Sequence, residues 1–190
     1  MKIKFFIFLL LCRYCSFAQI STKSNIIFAK EFSKETALYK AKSFVINNLF
    51  GESSEIVKFE IDALAASSSG ELTSLSYRCN TKNKEGLVLG FFGDYVTSSS
   101  QPYTAYAFKD FSKEKAIELL SKIEKAIEEN SKYLLKDENN NNFYFQFDDV
   151  TFLMYYKVSL KIRVFWNGFD SEWNNYEFKK TKSRFLNKKD

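Results

Sequence analysis

The sequence predicts an α+β fold: an antiparallel sheet with two main helices on one face, in the order β-α-β-β-β-β-α, followed by a C-terminal β-hairpin with a third strand and a short helix. Three observations carry that expectation. Apolar residues recur at three- and four-residue spacing over residues 34–50 and again over 112–135, the period of a one-sided helix. Between them lie four runs of strand-like alternation with short polar connections, which is how an antiparallel meander reads. After residue 142 the alternation resumes in three further runs.

Residues 20–25 are polar, and Ile26 to Phe28 open a short strand ending near Phe32. Ser33 can cap the first helix, whose stripe is Ala37, Leu38, Ala41, Phe44, Val45, Asn48 and Leu49, with Gly51 just past its end. Val57, Phe59 and Ile61 then alternate, followed by Leu75, Tyr77 and Cys79, by Leu87, Leu89 and Phe91, and by Tyr103 to Phe108. The connections 65–70, 80–85 and 93–101 are rich in Ser, Asn, Lys or Gly, as turns require. Ser112 caps the second helix, with Ala116, Leu119, Leu120, Ile123, Ala126 and Ile127 on its buried stripe. Glu118–Lys122 and Glu128–Lys132 are favourable i,i+4 pairs on its surface. It ends near Leu135, before a polar loop over 137–142.

The β-rich runs are 143–147, 151–156 and 158–166. In the last, Val158, Leu160, Ile162, Val164 and Trp166 share one face while Lys161 and Arg163 take the other. Asn167-Gly168 is a turn, and Ser171 is placed to cap a terminal helix from Glu172 to about Leu186. An echo links Glu31–Leu38 to Asp110–Ile117, each opening a helix after a strand. It ends within eight residues and reads as shared helix-start chemistry rather than duplication.

The first 19 residues have the layout of an export signal. Lys2 and Lys4 precede an apolar run (Ile3, then Phe5 to Leu11) too short to span a bilayer, and Ser16 and Ala18 precede a cleavage point at Gln19. Residues 1–18 are therefore expected to be removed, leaving 19–190 as a single domain with its main unit over 26–135 and a β-rich extension over 143–190. The expected destination is the periplasm or the exterior. Lys2, Lys4 and Arg13 depart with the signal, which lowers the formal charge from +5 to +2. Most of the remaining positive charge lies in the stretch from Lys179 to Lys189, so no basic field spreads over the body and nucleic acid is not an expected partner. The basic end reads as a solvated helix terminus. Cys12 and Cys15 also depart. Cys79 remains alone, and no internal disulfide can form. Leu11 and Tyr14, which precede the two signal cysteines, are too large for a lipoprotein site. No transmembrane segment is expected after Gln19.

The element order over 26–135, with Ser33–Phe50 as first helix and Ile56–Asp62 and Leu72–Cys79 around a turn at Ser67–Gly70, resembles small exported bacterial domains of unknown function that share a fold with the TATA-binding protein. That resemblance implies an architecture and no activity. It leaves the last fifty-five residues outside its span, and DNA binding does not carry over to a slightly acidic body.

The chain has no histidine, which removes histidine-dependent triads, histidine–zinc sites and imidazole acid–base catalysis. It has no GxSxG, Walker or GxGxxG motif. Ser112-Lys-Glu-Lys115 matches S-x-x-K spacing, yet no Ser-Asp-Asn accompanies it and Lys180-Thr181-Lys182 lacks the glycine, so Ser112 reads as a cap. Asp148 and Asp149 are adjacent in a turn and would point apart. Asp137, Glu138 and Asn139–Asn142 lack EF-hand spacing. No catalytic residue, metal ligand or cofactor is assigned.

One segment has the composition of a recognition surface: Trp166-Asn-Gly-Phe-Asp-Ser-Glu-Trp173. Both tryptophans flank a polar turn with Asn167, Asp170 and Glu172, and indole faces beside amide and carboxylate groups suit a protein, peptide or glycan. The competing reading puts Trp166 at the end of a core-facing strand and Trp173 against the terminal helix. The expected role is a non-catalytic binding or interaction module of the envelope or exterior. A carboxylate-dependent hydrolase would instead need a concave pocket with two or more convergent carboxylates, and a secreted inhibitor or immunity-type protein a protruding loop.

Overall fold

A computed structural model describes residues 27–28, 34–96, 102–138 and 140–187. The expected signal (1–18), the polar lead-in, the Ser33 cap and the last three residues lie outside them.

Among the described residues the fold has two antiparallel sheets and three α-helices. In chain order the elements are β1 (Ile27–Phe28), α1 (Lys34–Phe44), β2 (Glu60–Ala66), β3 (Leu72–Cys79), β4 (Lys84–Val96), β5 (Pro102–Ser112), α2 (Lys113–Lys136), β6 (Asn142–Phe147), β7 (Val150–Lys157), β8 (Ser159–Trp166), β9 (Phe169–Asn174) and α3 (Asn175–Leu186). The first sheet runs β1-β5-β4-β3-β2 and the second β6-β7-β8-β9; β1 pairs with β5, while from β2 to β5 and from β6 to β9 each strand pairs antiparallel with the next.

The helix expected over 34–50 changes character midway. After Phe44 it continues as a π-turn, Val45–Phe50, and Gly51 closes it with φ of 71°, its N–H donating to the Ile46 carbonyl at 2.9 Å. A glycine there adopts a positive φ without Cβ strain. Asn48 Nδ2 donates to the Phe44 carbonyl at 3.0 Å, adding a side-chain bond where the helix widens.

The two main helices pack on opposite faces of the first sheet, which corrects the expectation of one shared face. Ala41, Phe44, Val45 and Phe50 pack on Leu75, Tyr77, Val88, Tyr106 and Phe108, with the Phe44 and Phe108 rings 5.4 Å apart. Ala116, Leu119, Leu120 and Ile123 of α2 pack instead with Leu87, Leu89, Phe91, Ala107 and Phe111. The reason is β4 itself. Leu87, Leu89 and Phe91 are buried on one side and Val88 on the other, so the sheet has two apolar faces and each must be covered.

The second sheet joins the α2 side of that core through Phe152, Met154, Ile162, Val164 and Trp173. Phe91 is the meeting point of the two sheets, its ring 5.1 Å from Trp166 and 6.0 Å from Phe169. Burying a phenylalanine of this kind stabilises by about 1.5–3 kcal/mol. Helix α3 completes the core with Phe178 and Phe185. It is tied to the first sheet by a buried Ser74–Thr181 hydroxyl pair at 2.6 Å and by Arg184 Nη1 donating to the Leu64 carbonyl at 2.8 Å.

The C-terminal part differs from the expected three runs and helix. Asn167 and Gly168, both at positive φ, form a two-residue hairpin turn, and Phe169–Asn174 is a fourth strand. Ser171 is therefore a buried strand residue. The cap of α3 is Asn174, in a reciprocal capping box with Glu177. Ser112 does cap α2, accepting from the Lys115 N–H at 3.4 Å. Lys122 turns away from Glu118. Its ammonium sits 4.9 Å from the centre of the Phe145 ring.

Candidate functional site

Because side chains alternate across a strand, each strand of the second sheet gives one face to the core and one to its outside. In β8 and β9, Leu160, Ile162, Val164, Trp166, Phe169, Ser171 and Trp173 go inward. Trp166 is 9 % exposed and Trp173 2 %, so neither indole offers an open platform in this structure. Trp166 Nε1 donates to Asp149 Oδ2 at 2.8 Å, and Trp173 meets Phe178 edge-on at 5.5 Å. Asn167 lies in the hairpin turn, exposed. Asp170 and Glu172 are on the outer face, separated from the tryptophans by the thickness of the sheet.

That outer face has a distinct make-up. The register sets Tyr144, Leu153, Arg163 and Glu172 in one row across the four strands, and Gln146, Thr151, Phe165 and Asp170 in the next. Two ion pairs cross it diagonally. Arg163 donates from Nε and Nη2 to the two oxygens of Asp170 at 2.6 and 2.9 Å. Glu172 accepts from Lys161 Nζ at 2.7 Å and from the Tyr155 hydroxyl at 3.1 Å. Partial burial works to raise the Glu172 pKa, but the bonds from Lys161 and Tyr155 outweigh it and hold the carboxyl below its usual range. Donation to the Asp170 carboxylate raises the Arg163 guanidinium pKa above its already high value. Leu153, Tyr155 and Phe165 are half-buried and Tyr144 is exposed, so apolar and aromatic surface is interleaved with fixed charge. Neither buried cluster includes a residue of this face, which no helix or second sheet covers among the described residues.

A second feature is concave. A cleft of about 490 Å³ lies between the β3–β4 hairpin and the start of α2, lined in part by Tyr77, Arg78, Glu85, Asp110, Lys113 and Glu114. Three carboxylates thus converge near one phenol. Burial first, and then the charges of Asp110, Glu114 and Glu85, push the Tyr77 pKa up to about 12. Glu85 is clamped between Arg78 Nη2 at 3.0 Å and Lys113 Nζ at 2.9 Å. These contacts overcome its desolvation and lower its pKa. Glu114 is lowered by its own backbone N–H and by the Ser112 hydroxyl, which donates to it at 2.9 Å. Carboxylates held ionised in this way bind cations and donors. They are poor proton donors, the opposite of a glycosidase acid.

The S-x-x-K pair is separated by its partners. Lys115 Nζ bonds Asp148 at 2.8 and 3.0 Å, which raises its pKa and keeps the amine protonated and away from Ser112. Asp149 pairs with Lys109, so the adjacent aspartates point to different lysines. Among the described residues no group of three or more Cys, Asp or Glu side chains is arranged to hold a metal ion. No helix among them is long and apolar enough to cross a membrane.

Sequence reasoning marked Asp170 and Glu172 but not the partners that make them a surface. Lys161 and Arg163 were legible as facing away from the core. Tyr155, Leu153 and Phe165 join them only once register is known. No protein-family model, curated protein or solved structure matches the chain.

Proposed function

We propose that the protein is an exported, non-catalytic binding module of the cell envelope or exterior that engages a protein, peptide or glycan through the outer face of the second sheet. One observation carries this: a sheet face with Leu153, Tyr155 and Phe165 interleaved with the Arg163–Asp170 and Lys161–Glu172 pairs stays uncovered among the described residues. Half-buried aromatics between preorganised charges supply contact area at low ordering cost, while the charges select the partner. Export rests on the first 18 residues of the sequence, and the polar ring of Asn167, Asp170 and Glu172 keeps its place in the reading as the rim of that face.

Affinity capture from envelope and culture supernatant with the wild type, beside a Tyr155→Ala/Phe165→Ala variant of unchanged fold, tests the proposal. A partner recovered by the wild type and lost by the variant supports it. Equal recovery by both overturns it.

The hydrolase alternative has its own observation, the cleft with Glu85, Asp110 and Glu114. It predicts turnover that Glu85→Gln abolishes. The clamping of Glu85 and Glu114 in their ionised forms favours the binding reading.

A further inference from the structure

We propose that the edge of β6 that no strand pairs among the described residues is a self-association site, at which a second copy of this chain adds its own β6 antiparallel and joins the two second sheets into one across a two-fold axis. An unpaired strand edge presents backbone N–H and C=O groups ready for another strand, and proteins blunt such edges with bulges, charges, prolines or a covering element. Of the other strands that end a sheet among the described residues, β1 is two residues long and β2 and β9 are blunted. In β2 the register breaks between Ala63 and Ala65, Glu60 and Asp62 sit on the strand, and Arg184 of α3 caps the Leu64 carbonyl. In β9, Asp170 and Glu172 are charged, and Ser171 Oγ donates to the Glu71 carbonyl at the border of the first sheet.

β6 carries only one of these devices, a long one: Lys122 Nζ of α2 donates to the Gln146 carbonyl at 3.4 Å. Its sequence is Asn-Phe-Tyr-Phe-Gln-Phe, with no charge, proline or glycine, and its register with β7 is unbroken. Such a neutral, aromatic, strongly β-forming six-residue run is the type that pairs with copies of itself. A charged edge strand would set each charge against its own image, and neutrality removes that penalty for this one partner. Beside the strand runs a cleft of about 430 Å³, lined by Lys125 and Glu129 of α2 and by Phe143, Tyr144 and Phe145. Its helix side carries the Lys125–Glu129 pair, 3.7 Å apart, beside Lys122, so each copy offers both a cation and an anion to its two-fold image. Lys122, on the same wall, is already held over the Phe145 and Phe147 rings.

The geometry narrows the register. Residues opposite one another in an antiparallel pair share a face, so a two-fold axis normal to the sheet must pass through a residue, not between two. Tyr144, 70 % exposed on the outer face, is then opposite itself, or opposite Gln146 if the axis passes through Phe145. Either register leaves the proposed binding face open and extends it across both copies. The two proposals stand or fall separately.

Sedimentation equilibrium of the purified protein over a concentration series tests the dimer. The wild type is expected to show a reversible monomer–dimer equilibrium, and Tyr144→Lys to raise the dissociation constant about tenfold or more, since a lysine lands on or beside the axis. Tyr176→Lys, equally exposed at 71 % but on α3, should leave it unchanged. If Tyr144→Lys does not fold, Gln146→Lys on the same exposed face replaces it. A wild type that stays monomeric at its highest soluble concentration, or a dimer whose dissociation constant ignores the β6 lysine, overturns the proposal.

Discussion

Trp166 Nε1 donates to Asp149 Oδ2 at 2.8 Å, and the same carboxylate pairs with Lys109 of β5, so one side chain ties the end of β8 and the β6–β7 turn to the first sheet. Burial works to raise the Asp149 pKa, but the bonds from Lys109 and Trp166 outweigh it and bring it below its ordinary value of 3.8. A depressed folded-state pKa gives stability that is complete above the unfolded pKa and lost as pH falls through the folded one. Trp166→Phe keeps most of the buried ring area and removes the donor. It should cost about 1 kcal/mol at pH 7. The difference from wild type should shrink below the ordinary aspartate pKa of 3.8 as Asp149 protonates. Urea unfolding at the two pH values measures both; a difference independent of pH would assign the effect to packing alone.

Tyr77 provides the alkaline counterpart. Its hydroxyl, buried near Asp110, Glu114 and Glu85, ionises at about 12 in the folded state against 10.0 ordinarily. A raised folded-state pKa means stability that is intact below the unfolded pKa and falls as pH climbs through 10 toward 12. The loss by pH 12 is about 2–3 kcal/mol from this group. Tyr77→Phe should flatten that part of the profile. Thermal unfolding between pH 9 and pH 12 checks it, and an identical slope in the variant would place the alkaline loss elsewhere.

What the sequence disclosed follows the range of the interactions involved. Ser112 as a cap and the stripe Ala116–Leu119–Leu120–Ile123 were legible because capping and helical periodicity act within one or two turns. The side of the sheet taken by each helix was not, because Leu87 and Val88 are both buried and nothing local says which face meets α1. The strand after Gly168 carried its signal in the alternation Phe169, Ser171, Trp173, which the aromatic-rich run beyond it obscured. The tryptophan segment shows the same limit. Its composition was visible, but burial follows from register, Ile162 opposite Trp173 and Phe169 opposite Trp166, and register is a long-range fact.

Phe91 tests whether the two sheets unfold together. Its ring contacts Trp166 and Phe169 from the second sheet while its strand sits in the first. Phe91→Ala opens a cavity at that junction and should cost about 3–5 kcal/mol. If the sheets share one cooperative core, tryptophan fluorescence, which reports Trp166 and Trp173 of the second sheet, and far-ultraviolet circular dichroism shift together in urea. Two separated transitions in the wild type would mean the second sheet is its own unit.

Gly86 and Gly93 lie on the same strand and should respond oppositely to alanine. A Cβ at Gly86 would stand 2.1 Å from the Phe111 carbonyl oxygen and 2.6 Å from the Tyr77 hydroxyl, so backbone must move to admit it. At Gly93 nothing lies within 4 Å. The strand needs glycine at the first position because the Phe111 carbonyl of β5 and the phenol of Tyr77, its register partner in β3, both approach it closely. Gly86→Ala should therefore destabilise by about 2 kcal/mol or more, in the range of overpacked sites. Gly93→Ala should be neutral or stabilising by about 0.5 kcal/mol through the lost freedom of the unfolded chain. Melting temperatures of the two variants decide it: equal, small shifts would mean that the Phe111 carbonyl and Tyr77 both give way and the close approach at Gly86 is not a constraint on the fold.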